Sequence, residues 1–193
     1  MSIDDRAAFT AAVAQESAAQ AADPRVRDVT REWIIATQPH RYSYHFSWLG
    51  LPVIQFPADI VALQELVWKV RPDLIIETGV ARGGSLILSA SVLAMIELAE
   101  ATEAGEVLDP AVPSRHVLGI DIDIRRHNRA AIESHPLASR ISMIEGSSTA
   151  PEVVAEVWKR AAEAKRVMVL LDSNHTNAHV LAELNAYAPL ASA

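Results

Sequence analysis

Past residue 57 the apolar positions of this chain switch repeatedly between helical spacing and short continuous runs. Ile60, Val61, Leu63, Leu66, Val67 and Val70 recur at helical spacing. Pro57 and Asp59 suit a first turn and Pro72 closes the segment, so a helix is predicted there. Leu74-Ile75-Ile76 is a short apolar run leading into a glycine turn, after which residues 85–98 continue as a mostly apolar helix. The alternation then repeats. His116-Val117-Leu118-Gly119-Ile120-Asp121, Ile141-Ser142-Met143-Ile144-Glu145 and Val167-Met168-Val169-Leu170-Leu171 predict strands, with helical stretches at 128–133, 151–164 and 177–187. Strands alternating with helices of this length imply βαβ units, a parallel sheet and right-handed crossovers. Ligands of such sheets sit beyond the carboxyl ends of the strands.

Before residue 57 the pattern is different. Residues 3–21 are helical by propensity, and Asp23-Pro24 starts a second helix through Val29, Trp33 and Ile34 to about residue 38. Residues 40–50 are rich in aromatics and follow neither period, which predicts a structured loop. The alternating Tyr42, Tyr44, Phe46 and Trp48 also fit a short half-buried strand. The acidic stretch 100–115, with Gly105, Pro110 and Pro113, predicts a surface loop. The expected organisation is therefore N-terminal helices and an aromatic loop over 1–56, followed by an α/β domain over 57–193.

Composition narrows the function classes. At 193 residues the chain suits one core, and a hydrophobic fraction of 50% with 21% charged residues is that of a globular enzyme. A net charge of −7 with scattered Lys and Arg argues against a nucleic-acid surface. The absence of Cys excludes thiolate metal sites and Cys nucleophiles, and is compatible with a reducing cytoplasm. The Ala-rich start is broken by Asp4, Asp5 and Arg6, unlike a signal peptide, and the apolar stretch 86–98 is short of the roughly 20 residues of a membrane span. A soluble cytoplasmic protein is expected.

Candidate chemistry gathers where strands end. The first runs into Glu77-Thr78-Gly79-Val80-Ala81-Arg82-Gly83-Gly84-Ser85. Glycines there let the backbone approach a ligand, and the following helix offers unpaired N–H groups. Ala81 occupies the place where a dinucleotide fingerprint requires glycine, and the upstream Glu77 suits a cationic ligand such as the amino group of S-adenosylmethionine. Gly79, Val80, Gly83 and Ser85 are the cofactor-binding candidates of the turn, and a tight strand-to-helix connection is the alternative. Asp121 ends the second strand, where a carboxylate can accept ribose hydroxyls or simply solvate a turn. Ser147 and Ser148, after the third strand, could meet an adenine edge or cap the next helix. Asp172 ends the fourth strand and suits a hard cation such as Mg²⁺. His175 is close enough to share that site as a base, or to serve as a helix-start histidine bonded to backbone.

These segments together resemble the cephalosporin hydroxylase family, which includes rhamnosyl O-methyltransferases. The resemblance covers about 42–190. It rests on Tyr-Ser-Tyr-His-Phe-Ser-Trp-Leu-Gly from Tyr42, Pro52-Val53-Ile54-Gln55-Phe56-Pro57, residues 73–85, Gly119-Ile120-Asp121-Ile122-Asp123-Ile124-Arg125, Glu145-Gly146-Ser147-Ser148 and Leu171-Asp172-Ser173-Asn174-His175-Thr176. It implies a Rossmann-like S-adenosylmethionine methyltransferase sheet with accessory N-terminal helices. The implied activity is methyl transfer to hydroxyl oxygens, often on sugars. It places Glu77, Gly79 and Asp121 on cofactor positions, Asp172 on a Mg²⁺-ligand position and His175 on the position of the base proposed for the related sugar O-methyltransferases. It also implies later strands and an acidic pair of metal ligands that these residues do not include, so the metal site is expected to be incomplete here.

The expected function is Mg²⁺-assisted O-methylation of a sugar or glycosylated small molecule. A hydroxylase or oxidoreductase, as the family name suggests, and a shortened non-catalytic subunit are the rivals. No iron-binding triad or dinucleotide fingerprint supports the oxidoreductase. An open sheet edge and an apolar N-terminal helix are compatible with a homo-oligomer.

Overall fold

The structure is a computed structural model and describes residues 5–191. It divides into two compact units, Met1–Tyr42 and Ser43–Ala193. The first holds helices α1 (Arg6–Ala22) and α2 (Pro24–Thr37), neither with a buried residue. Residues 3 and 4 of the predicted first helix lie outside the described residues. Asp23 separates the helices as read from the sequence: its side chain accepts from the Arg25 N–H at 2.8 Å, capping α2, and Pro24 occupies the first helical position. Trp33 meets Tyr42 edge to face at 5.0 Å.

The second unit is built on a four-stranded parallel sheet in the order β5-β4-β3-β6. Its strands are β3 (Leu74–Thr78), β4 (His116–Asp121), β5 (Ile141–Glu145) and β6 (Val167–Leu171). The predicted strands agree in place and type, because continuous apolar runs are what a sheet covered on both faces requires. All five residues of the central β3 are buried. Ile75 faces a cluster with Val67, Leu86, Leu93, Ile96 and Ile132, from α3 (Pro57–Val70), α4 (Gly84–Ala104) and α5 (Arg126–Glu133). Leu74 and Ile76 face the opposite cluster with Val153, Val157 and Tyr187, from α6 (Pro151–Ala161) and α7 (Asn177–Tyr187).

The structure corrects three expectations. The aromatic segment is the half-buried strand alternative only in part: 3-10 turns at Gln38–His40 and Tyr42–Tyr44 precede an antiparallel hairpin, β1 (Phe46–Trp48) and β2 (Leu51–Val53). Leu49 and Gly50, both at positive φ, make its tip. This hairpin packs on α4, where Trp48 Nε1 donates to Ser91 Oγ at 2.9 Å, and a Cβ on Gly84 would lie 2.2 Å from the Pro52 carbonyl oxygen. Residues 43–56 therefore belong with the sheet rather than with the N-terminal helices.

Second, α4 runs past residue 98 to Ala104 before Gly105 ends it at φ +69°. Its polar last turns are retained because their carboxylates are used. Glu97, 5% exposed, accepts from Arg140 and from the Ser114 and Arg115 N–H groups, while Glu100 pairs with Arg115 at 2.8 Å. Burial raises the Glu97 carboxyl, but these donors outweigh it and hold the group below its ordinary value. At 21 residues α4 is long and apolar enough to cross a membrane, yet Leu86, Ile87, Leu88, Leu93 and Ile96 are buried within the protein. Third, α6 stops at Ala161, three residues before the predicted end.

Candidate functional site

The turn after β3 is shaped by what surrounds it. Gly79 lies at φ +95°, and a Cβ there would sit 2.2 Å from the Asp172 carbonyl oxygen, so only glycine lets the turn rest against the end of β6. Gly83, at φ +84°, starts α4, and a Cβ on it would meet the Ile132 side chain at 2.4 Å. Ala81 adopts φ +45° despite its Cβ. Its hydrogen bonds explain how this is held: Asp121 Oδ2 accepts from the Val80 N–H at 2.8 Å and the Ala81 N–H at 3.1 Å, and Asn128 Nδ2 donates to the Ala81 carbonyl at 2.7 Å.

Asp121 thus stands where the sequence placed it, but its observed partners are the turn and the Asp123 N–H, which reaches Oδ1 at 3.2 Å. A carboxylate has about four acceptor sites, so capacity is left on Oδ1 for a further donor. Val80 is 1% exposed, with its side chain in the core, so only its backbone faces the turn.

Beneath the turn lies Glu77, 1% exposed, with both carboxylate oxygens buried and outside hydrogen-bond geometry with any donor, although the Ser85 and Ser89 hydroxyls are near enough to favour its charged form. Burial pushes its carboxyl up to about 7; the nearby Ser85 hydroxyl offsets part of the rise and the like charge of Asp172 adds to it. Two spaces adjoin these groups. A slot of about 30 Å³ is lined by residues 79–85, Pro52, Ile54, Gln55 and Asp172. A cavity of about 640 Å³ is lined by Glu77, Asp172, His175, Gln55, Asp59 and the apolar wall of α3 and β6. Gln55 borders both, and its Oε1 is buried without a partner.

At the rim, His175 Nε2 lies 3.6 Å from Asp172 Oδ1, with side chains 78% and 46% exposed. Burial raises the Asp172 carboxyl and His175 lowers it in part. Among the described residues no group of three or more His, Asp or Glu side chains converges in a way that would hold a metal ion. Asp172 and His175 are brought together, and among the described residues no third His, Asp or Glu joins them.

The hydroxyls of the serines after β5 are taken by partners within the protein. Ser147 Oγ is paired with Thr149 Oγ1 at 3.1 Å. Ser148, 5% exposed, donates its hydroxyl to Glu183 Oε1 at 2.6 Å, and its carbonyl accepts from the Tyr187 hydroxyl. The hydroxyl is turned into the protein because a buried carboxylate there needs donors. Three contributors escaped the sequence reading: Gln55, Asn128 and Glu183. Gln55 lay inside a quoted motif, and Asn128 and Glu183 sit at helical positions that look like surface until the sheet closes over them.

Residues 40–193 match the family described as Rhamnosyl O-methyltransferase/CmcI. The rhamnosyl O-methyltransferase of Mycobacterium leprae (strain TN) is 28% identical over 166 residues, 82% of this chain and 64% of that protein. Its counterpart in Mycobacterium tuberculosis (strain ATCC 25618 / H37Rv) is 25% identical over 170 residues, 82% of this chain and 60% of that protein. The chain thus spans less than two thirds of the length of these relatives. A CmcI structure solved in its Mg-SAM form aligns at a TM-score of 0.46 and 19% identity, covering 69% of this chain and 48% of that one.

Proposed function

Because the chain belongs to the Rhamnosyl O-methyltransferase/CmcI family, we propose that it is an S-adenosylmethionine-dependent O-methyltransferase acting on a hydroxyl of a sugar or glycosylated small molecule. The observation that carries this reading is Glu77, a buried carboxylate under the glycine turn that lines the adjoining cavity and has no cationic partner among the described residues. Such a group is costly until a cationic donor reaches it, and the cofactor's amino group is one. Asp121 and Asn128 keep the turn in its positive-φ geometry, ready for close approach.

When bound, the cofactor supplies an electrophilic methyl carbon on a sulfonium sulfur. Glu77 and the amides of the glycine turn would hold the cofactor, and His175 would take the proton of an acceptor hydroxyl oriented toward that methyl group. Its Nε2 faces Asp172, so Nδ1 receives the proton while the Asp172 carboxylate stabilises the imidazolium. Most of the rate in such a site comes from orientation of the two substrates. The resemblance also places Mg²⁺ at Asp172. Asp172 would supply one carboxylate to such an ion, and among the described residues no further His, Asp or Glu joins it and His175. The reading includes a cytoplasmic location, which cell fractionation checks.

Calorimetry with S-adenosylhomocysteine, with and without Mg²⁺, tests the reading. The expected result is one site with a Kd on the order of micromolar, and transfer of labelled methyl groups to rhamnose-bearing glycosides. Absence of cofactor binding would sink the proposal. Cofactor binding that Mg²⁺ does not alter, with no transfer to any hydroxylated acceptor, would favour the non-catalytic subunit.

A further inference from the structure

Glu183 lies on α7, on the far side of the sheet from Glu77, and is 1% exposed. One of its oxygens, Oε1, accepts from Ser148 Oγ at 2.6 Å and from Ser173 Oγ at 2.6 Å, with His179 Nε2 at 3.3 Å. His179 Nε2 is also 3.2 Å from Ser148 Oγ, and the buried Tyr187 hydroxyl donates to the Ser148 carbonyl. Burial, then the neighbouring Glu183 charge, pushes the Tyr187 hydroxyl up to about 12, so it stays a donor.

The two serines come from opposite edges of the sheet. Ser148 follows β5 and Ser173 follows β6, and the strand order β5-β4-β3-β6 puts both middle strands between them. Those middle strands carry the glycine turn and Asp121. At roughly 4.8 Å per strand the edges are about 14 Å apart, yet their carboxyl-end loops meet on one oxygen atom. Ser173 is joined to the turn through its neighbour: the Asp172 N–H donates to the Thr78 carbonyl at 2.9 Å, and the Asp172 carbonyl fills the space that a Gly79 Cβ would take.

We propose that Glu183 is a positioning residue that ties the loops after both edge strands together, and so fixes the Asp172–His175 rim against the glycine turn. It lines neither the slot nor the cavity beside the turn. It acts through Ser173 on the backbone of Asp172, and through Ser148 on the loop after β5. Short hydrogen bonds to a buried carboxylate are among the stronger ones, and losing the acceptor frees both loops at once. As regards cofactor affinity, the inference rests on the methyltransferase reading; as regards loop order, it does not.

The test compares the 193-residue chain with Glu183→Ala, Glu183→Gln, Ser148→Ala and Ser173→Ala by amide exchange at Asp172 and Thr176, S-adenosylhomocysteine affinity and thermal unfolding. Glu183→Ala is expected to speed exchange at both amides by about tenfold or more and weaken the cofactor analogue by about tenfold, the scale of one charge-assisted hydrogen bond. Glu183→Gln keeps an acceptor oxygen and should recover most of both. Ser173→Ala should loosen Asp172 and Thr176 while leaving the unfolding midpoint within a few degrees, and Ser148→Ala should spare those two amides. Unchanged exchange in both Glu183→Ala and Ser173→Ala overturns the proposal, as does a Glu183→Gln variant as damaged as Glu183→Ala. If Glu183→Ala does not fold, the serine variants decide the matter by the same exchange readout. If the unaltered chain binds no cofactor analogue, the methyltransferase reading fails, and the exchange data still decide whether Glu183 is the tie.

Discussion

The two halves of the site are built to different standards. The glycine turn is over-determined: Ala81 is held at both its N–H and its carbonyl, and glycines stand at 79 and 83 where side chains would strike Asp172 and Ile132. The Asp172–His175 rim, the proposed place of reaction, is loosely held at its side chains, with His175 78% exposed and 3.6 Å from Asp172. A binding surface must be rigid before the ligand arrives, because disorder there is subtracted from affinity. Catalytic contacts are commonly long without substrate and tighten in the complex.

The sharpest way to break the turn is Gly79→Ala. A Cβ facing backbone at 2.2 Å, at φ +95°, should cost about 4 kcal/mol through combined clash and strain. Denaturant unfolding should show that loss, together with loss of cofactor binding.

The next effect depends on pH. The Glu77 carboxyl is raised from 4.5 to about 7. The folded state therefore holds an extra proton between those values, and stability falls as pH rises through the window, by about 3 kcal/mol in all. Glu77→Gln should flatten that slope in urea titrations run from pH 4 to pH 8. It should also weaken S-adenosylhomocysteine, since the ionised form that attracts an ammonium is gone.

Asp121→Ala frees the Val80 and Ala81 N–H groups, one of them partly buried. It should cost about 2 kcal/mol in thermal or chemical unfolding and lower cofactor affinity with it. At the rim, His175→Ala should change stability by less than about 0.5 kcal/mol, as substitutions of exposed side chains do. Cofactor affinity should be unmoved while methyl transfer is lost. A large stability change in that variant would erase the contrast between the two regions.

How far each region was legible follows from the range of its interactions. The strands were legible because each is a local run of apolar residues, and the turn because glycine at 79 and 83 has a backbone reason visible nearby. The hairpin at 46–53 was legible only in the half-buried strand through Phe46 and Trp48; its return strand was not, since Pro52 interrupts the alternation and its partner is α4, far along the chain. The direction of the Ser148 hydroxyl was not legible for the same reason: it is set by Glu183, 35 residues later.

By itself the sequence determined the strand-helix alternation, the parallel sheet and the positions of Glu77, Gly79, Asp121, Asp172 and His175 at strand ends, because these depend on local period and on where apolar runs stop. Only the tertiary structure decided what those residues touch. It left Glu77 without a cationic partner among the described residues, turned Asp121 toward the turn amides, and joined the loops from opposite edges on Glu183. Burial and hydrogen-bond partners are properties of distant segments brought together, and no local pattern encodes them.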